Sequence, residues 1–510
     1  MCNFDYIQAV VRYPLVAGPG RLLGIRRRWF GGGPVILLVL AVLLLPAGAS
    51  AADIGGAELT NAGPGDGSCD VASAEGTRTE YTCRYGPVEV DGYQVRQVTV
   101  NGIPRPPGAG HITAMDVDVV DANGTQVPIQ RLMLHHIVFA NLSRPDGTCN
   151  HFMLWDNKTD LGFSPQRFYG AGEERAKFAL PPGYGYKLDA ADNWLMAWMF
   201  MNHRGVTDHA FIQYHVTVDT SSDIADADPY WLDVRNCQAD PVFDVPGGGG
   251  HGGAYKQEST WTVPQSGRLL GGGGHVHGGG QSLVVTEPDC GDREIGRSEP
   301  LWGMPANPYY HVKPVLHEPG PIAMSYWGSL HGIPVTAGQR LKLTATYDNS
   351  RPHTRVMGIE MIYVAPDSAV DEGCGPLPGD RFQLQSDQPG RTSPPRFKVP
   401  LTGLNARGRA VRITHPPGPT KVVDGGSADV NVADFRFSRP NLLVRRGTTV
   451  HWRFDDRPLH NVTLASGPRG FSSPNLNGGR SFKAKLTKPG RYQLFCALHP
   501  VAMTESIVVK

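Results

Sequence analysis

Residues 490–510 read GRYQLFCALHPVAMTESIVVK, and the fold turns on how this stretch is read. GRYQLFC (490–496) and TESIVVK (504–510) are short, β-prone runs, so the stretch reads as two strands joined by a loop carrying Cys496, His499 and Met503. A cysteine in that loop has three readings: a buried thiol, half of a disulfide, or a metal ligand. Alternation of period two recurs in SADVNVADFRF (427–437), HAFIQYHVTVD (209–219) and RLKLTATYD (340–348), and no long stretch carries a helical stripe. With 63 glycines and 43 prolines, the chain favours many short strands joined by turns. The expected class is all-β.

At 510 residues the chain exceeds one hydrophobic core. A glycine-rich break at VPGGGGHGGAY (245–255) and a proline-rich stretch from DQPGRTSPPRFKVP to THPPGPTKVVDGG suggest the divisions. The expected organisation is a first β domain over 52–235, a second over 236–366, a Pro/Gly-rich linker over 367–426, and a compact β unit over 427–510. Charged residues are 19% of the chain and the net charge is +1, which gives no polyelectrolyte signal for nucleic acid. No nucleophile triad or phosphate loop supports a hydrolase or kinase.

The first fifty residues carry positive charge in RLLGIRRRWF (21–30), an apolar run of twelve in PVILLVLAVLLL (34–45), and small residues in AGASAAD (47–53). That pattern is a signal peptide over 1–51, with RRWF as a partial twin-arginine motif beside the ordinary Sec reading. The run is shorter than the ~20 residues a membrane span needs, so membrane association follows only if the segment is retained. The expected location is outside the cytoplasm: secreted, periplasmic or cell-envelope associated. Of eight cysteines, Cys2 leaves with the signal, and the remaining seven cannot all pair. If six form three disulfides, Cys496 is the natural remainder because its neighbours can use a thiolate, and Cys69 with Cys83 is the nearest pair.

Two imidazoles, a thiolate and a weak axial thioether form the donor set for copper that passes single electrons. Cys496, His499 and Met503 supply three of these from one loop, and His460 in RPLHNVTL, 36 residues upstream of Cys496, supplies the other imidazole. This segment resembles the plastocyanin-like cupredoxins, which implies a Greek-key β-sandwich and a type 1 (blue) copper held by His460, Cys496, His499 and Met503. Three residues separate His499 from Met503 where plastocyanin has four, a difference that bears on redox potential.

Two further histidine clusters occupy the central region. RLMLHHIVFAN (131–141) holds adjacent His135 and His136; neighbouring strand residues face opposite ways, so joint ligation requires a bulge or strand end. RLLGGGGHVHGGGQSLVV (268–285) holds His275 and His277, two apart and so on one strand face. Their order resembles the copper type II, ascorbate-dependent monooxygenases, the family of peptidylglycine α-hydroxylating and dopamine β-monooxygenases. The resemblance implies two jelly-roll-like β-sandwiches, each holding one copper. His135 and His136 would hold the electron-transferring copper, completed from WLMAWMFMNHRG (194–205) by His203 or, in the aligned position, Met201. His275 and His277 would hold the oxygen-binding copper with Met357 or Met361, Met357 being preferred; His275, His277 and Met357 are the expected catalytic set. His317 and His353 are candidates for supporting roles around the metals.

The implied function is hydroxylation of a C–H bond of an unknown organic substrate using O2 and a redox partner or small reductant. The blue copper would carry the electrons, with three coppers per chain in all. The alternative is a non-enzymatic, copper-binding electron-transfer protein whose central domains are a scaffold. A third reading places zinc at the histidine clusters.

Overall fold

The computed structural model describes residues 58–61, 67–153 and 160–510; the segment expected to be a signal peptide lies outside them. The described chain is built of β-strands and two short 3-10 turns. The all-β expectation holds, and its source is the alternation quoted above. In Ser427–Ala433, Ala428, Val430 and Val432 are buried while Asp429 and Asn431 are exposed.

The first sandwich packs a five-stranded sheet on a seven-stranded one. In the five-stranded sheet the order is Glu58–Asn61, Val95–Asn101, Trp194–Asn202, Leu132–Pro145 and Pro165–Gly172. Between the layers lie fully buried Phe139, Phe168, Trp194, Trp198 and Tyr214, side chains whose burial contributes on the order of 2–3 kcal/mol each. The second sandwich has a five-stranded sheet that includes Gly358–Pro366 and Gly267–Val276 as neighbours, facing a four-stranded sheet.

Strand Gly358–Pro366 joins the two bodies. Ile362 and Val364 face the core of their own sandwich, whereas Ile359, Met361, Tyr363 and Ala365 pack into the core of the first. A strand covered on both faces reads as a continuous apolar run, and GIEMIYVA does. Its one acid, Glu360, is buried and accepts hydrogen bonds from Ser298 and Trp327. Desolvation pushes its carboxyl up to about 8.

The third sandwich combines a five-stranded and a four-stranded sheet around Trp452, Phe454, Tyr492, Leu494 and Ile507. Its strand Gly490–Phe495 pairs with Thr504–Val509, so the loop between them holds Cys496, His499 and Met503 at one end of the sandwich.

Two boundaries differ from the sequence reading. Strand Asp228–Asp233 pairs with Gly358–Pro366 and therefore belongs to the second sandwich. The stretch expected as a linker is largely tied down. Cys374 is bonded to Cys290, Arg381–Leu384 adds an edge strand to the second sandwich, and Thr420–Val423 adds one to the third. Proline-rich composition conceals edge strands, which tolerate proline because half their backbone groups need no partner. The remaining disulfides are Cys69–Cys83 and Cys149–Cys237, and among the described residues Cys496 is the free, buried cysteine.

Candidate metal centres

His460, Cys496 and His499 converge at the end of the third sandwich. His460 Nδ1 lies 3.2 Å from His499 Nδ1, and His499 Nδ1 lies 3.5 Å from Cys496 Sγ. Fully buried Met503 closes the loop, with its amide donating to the His499 carbonyl at 3.0 Å. Asp456 contacts His460 Nε2 at 3.1 Å, which fixes the proton there and leaves the Nδ1 lone pair facing His499 and Cys496. Burial pushes the Cys496 thiol up, against the amides of Asn461, Leu498 and His499; a bound cation reverses that preference by deprotonating the sulfur. The Asn461 amide donates to Sγ at 3.3 Å. Burial, then the neighbouring His460, lowers His499 to about 4, so it is neutral and able to ligate. The donor set and the inward-facing lone pairs fit copper. Phe435, 47% exposed, lies edge-on to both imidazoles, with centroids 5.6 and 4.7 Å away.

The central histidines meet where the first two sandwiches pack. His136 pairs with Met199 and Leu134 with Phe200, so His135 is the extra residue of a β-bulge. The bulge brings both rings to one side, with Nδ1 atoms 3.1 Å apart. His275 and His277, at the end of Gly267–Val276, have centroids 4.9 Å apart. His135 lies 4.8 Å from the His277 ring and 4.9 Å from that of His317. The two pairs that the resemblance divides between two domains thus form one cluster across the interface.

Outer contacts set the tautomers. His275 Nδ1 lies 3.1 Å from both oxygens of Glu174, and His277 Nδ1 lies 3.1 Å from the Arg355 carbonyl. Both Nε2 atoms are then lone-pair bearing, buried and without a hydrogen-bond partner, as metal-ready imidazoles are. Burial holds His135 and His277 well below their usual value and takes His136 to about 3. For His275 burial acts the same way, but Glu174 and then Glu173 outweigh it and hold the ring above its usual value.

His203 is buried, with Nδ1 2.9 Å from the Pro314 carbonyl and Nε2 unpartnered. Met201 packs with Val95, Met133 and Leu316 in a small apolar cluster. Met357 lines the same cavity as His135, His136 and His277. Met361 lines a second, 190 Å³ cavity with His275, and its sulfur accepts from Tyr363 at 3.1 Å. Four neighbours escaped the sequence reading as site residues: Glu173, Glu174, Arg355 and, as a direct contact of His135, His317. AGEERAKF carries no motif, and the contacts of Glu174, Arg355 and Glu173 with the site histidines His275, His277 and His317 span 101, 78 and 144 residues.

The cupredoxin-like sandwich is docked over this cluster. A cavity of about 530 Å³ has His135, His136, His277 and Met357 on one side and Leu464, Phe495 and Ala497 on the other. Arg355 anchors the contact with a left-handed φ of 53°, a conformation costing roughly 1–3 kcal/mol in a non-glycine residue. Its amide donates to Asp244 (3.1 Å), its guanidinium to Asp240 (2.7 Å) and the Ser473 carbonyl (3.0 Å). Asp244 also accepts from the Ser472 amide (2.7 Å) and hydroxyl (2.8 Å). Met199 packs against the third core, and Val501 of the Cys496–Met503 loop packs against the Met201 cluster. No helix among the described residues is long and apolar enough to cross a membrane.

Residues 425–510 match the family described as copper binding proteins, plastocyanin/azurin family. Amicyanin-alpha of Methylorubrum extorquens is 29% identical over 86 residues, which is 16% of this chain and 72% of the relative. Amicyanin of Paracoccus denitrificans is 26% identical over 110 residues, 21% and 83% of the two chains. Among solved structures, a reduced Cu(I) form of an amicyanin variant at pH 4 is 28% identical, covers 17% of this chain and 86% of its own, and has a TM-score of 0.16. The family match and the His460–Cys496–His499 geometry agree: the C-terminal domain of this chain is a plastocyanin/azurin-family cupredoxin, a copper-binding electron-transfer domain.

Proposed function

We propose that this chain is an exported copper monooxygenase that carries its own electron donor. The observation that supports it most is the docking: the face of the cupredoxin beside Cys496 forms one wall of the cavity whose other wall is the histidine cluster. The assigned ligands are His460, Cys496, His499 and Met503 in the cupredoxin, and His275, His277 and Met357 at the oxygen-reactive centre, with His135, His136 and His203 serving the neighbouring one. Bound copper would supply one-electron chemistry toward O2. The overall change is R–H + O2 + 2 electrons + 2 protons giving R–OH + H2O, with electrons from an external reductant or redox partner.

The protein's own part is positioning. Glu174 and the Arg355 carbonyl orient the imidazoles of His275 and His277. The Tyr347 hydroxyl accepts from the His277 amide at 2.9 Å and donates to the Met357 carbonyl, holding two candidate ligands in register. Val242, Leu316 and Val356 give the cavity apolar walls suited to an organic substrate. A bonded route links the two regions. It runs from Cys496 Sγ to the Asn461 amide (3.3 Å), from Val462 N to Ser473 Oγ (2.9 Å), from the Ser473 carbonyl to Arg355 (3.0 Å), and from the Arg355 carbonyl to His277 (3.1 Å).

Copper analysis of the purified protein combined with ascorbate-driven O2 uptake tests this reading. Copper beyond the blue centre together with O2 uptake is expected. One copper per chain and no uptake would instead establish the carrier reading, in which the central domains are scaffold.

A further inference from the structure

Glu173 is the least accounted-for group in the histidine cavity. It is a carboxylate of 6% exposure, one residue past the end of strand Pro165–Gly172. Its Oε2 accepts from the Gly320 amide at 2.8 Å, and its Oε1 contacts His317 Nε2 very closely and lies 3.8 Å from His135 Nε2. Among the described residues no arginine or lysine pairs with it; the next cation along the chain, Arg175, is turned to Asp118. A buried carboxylate facing imidazoles calls for a positive charge. One ligand atom each from His135, Glu173 and His317 lie within 4.8 Å of one another, and His317 Nδ1 is buried without a partner.

We propose that His135, Glu173 and His317 bind a divalent first-row transition-metal ion, with Glu173 and His317 acting as ligands that neither resemblance implies. The proposal rests on reading the histidine cavity as metal-binding and changes how its first ion is held. A mixed imidazole–carboxylate set is borderline to hard and suits copper or zinc. The site also has a mechanical consequence. His135 and Glu173 belong to the first sandwich, while His317 lies in the second, between the turn Pro308–His311 and strand Ala323–Met324. An ion held there cross-links the two sandwiches beside the substrate cavity.

The test is titration of the metal-free, full mature chain with Cu(II) against a competing chelator, in wild type, Glu173→Gln and His317→Ala. The blue band reports that each variant is folded and loaded at Cys496. Three ions are expected in wild type. Each variant should lose one ion or bind it at least about tenfold more weakly, with the blue band unchanged. In wild type, Cu(II) should also slow amide exchange across residues 312–322, a measurement that needs no variant to fold. Three ions bound with wild-type affinity in both variants, and no change in exchange, would reduce Glu173–His317 to an ordinary ion pair and overturn the proposal while leaving the His275–His277 assignment intact. A single ion in wild type would overturn both.

Discussion

Replacing Asp244 with alanine should undock the cupredoxin without harming its copper site. Asp244 is held between strands of the second and third sandwiches, accepting from the Arg355 amide at 3.1 Å and from the Ser472 amide and hydroxyl at 2.7 and 2.8 Å. Burial pushes its carboxyl up, and those same donors pull it back. Alanine leaves three donors without their acceptor, at roughly 1–2 kcal/mol each. The Arg355 left-handed turn also loses a restraint. Only the two Ser472 donors cross to the third sandwich, so docking loses about 2–4 kcal/mol, a weakening of roughly 30- to 10³-fold. Apolar contacts at Met199 and Val501, the Gly470 amide on the Pro246 carbonyl, and Thr354 on Leu464 remain, so the domains separate partially. Hydrogen exchange over residues 463–473 should rise by that factor, the blue band should keep its position, and internal electron transfer after flash reduction should slow. Unchanged protection and unchanged transfer in Asp244→Ala would refute the idea that this carboxylate fastens the two redox regions together.

Cys496→Ser should abolish the blue band while leaving copper at the central histidines, which metal analysis and paramagnetic resonance would register. Glu505 is buried under Trp452, whose indole donates to it at 2.8 Å, and burial raises its carboxyl from 4.5 to about 8. Between those values the folded domain holds a proton that the unfolded chain has released, so this group stabilises at low pH and loses its effect as pH rises through 8. The swing is on the order of 5 kcal/mol. Glu505→Gln should therefore flatten the fall in the thermal midpoint of blue-band loss between pH 5 and 8.5; an equally steep fall in the variant would count against this assignment. Serine at both Cys149 and Cys237, which close a separation of 88 residues, should cost about 2–5 kcal/mol, seen as a lowered midpoint for the central domains with the blue band intact.

What the sequence revealed followed from how local each signal is. Cys496, His499 and Met503 lie within one loop, so their spacing alone places them together. Cysteine parity predicts one unpaired thiol, the histidine and methionine beside Cys496 single it out, and the structure pairs the other six described cysteines. The requirement for a bulge at His135–His136 follows from strand geometry, and the register shift at Met199/Phe200 supplies it. By contrast, one cluster rather than two separated pairs depends on how Gly358–Pro366 packs into the first sandwich, a contact between distant segments. Arg355 acts through its carbonyl, a group every residue has, so its identity gave no cue. Glu173 and His317 are 144 residues apart and meet only once both sandwiches have formed. The edge strands within 367–426 are hard to read from sequence because they are short segments among prolines.

The central claim is that electrons pass between the Cys496 copper and the histidine cavity inside one molecule. Copper-loaded protein, fully reduced without air and then mixed with O2, should regain its blue band at a rate independent of protein concentration. In His275→Ala that return should be slowed by orders of magnitude although the oxidised variant shows the same blue spectrum. Equal rates of return in the two proteins would contradict the account.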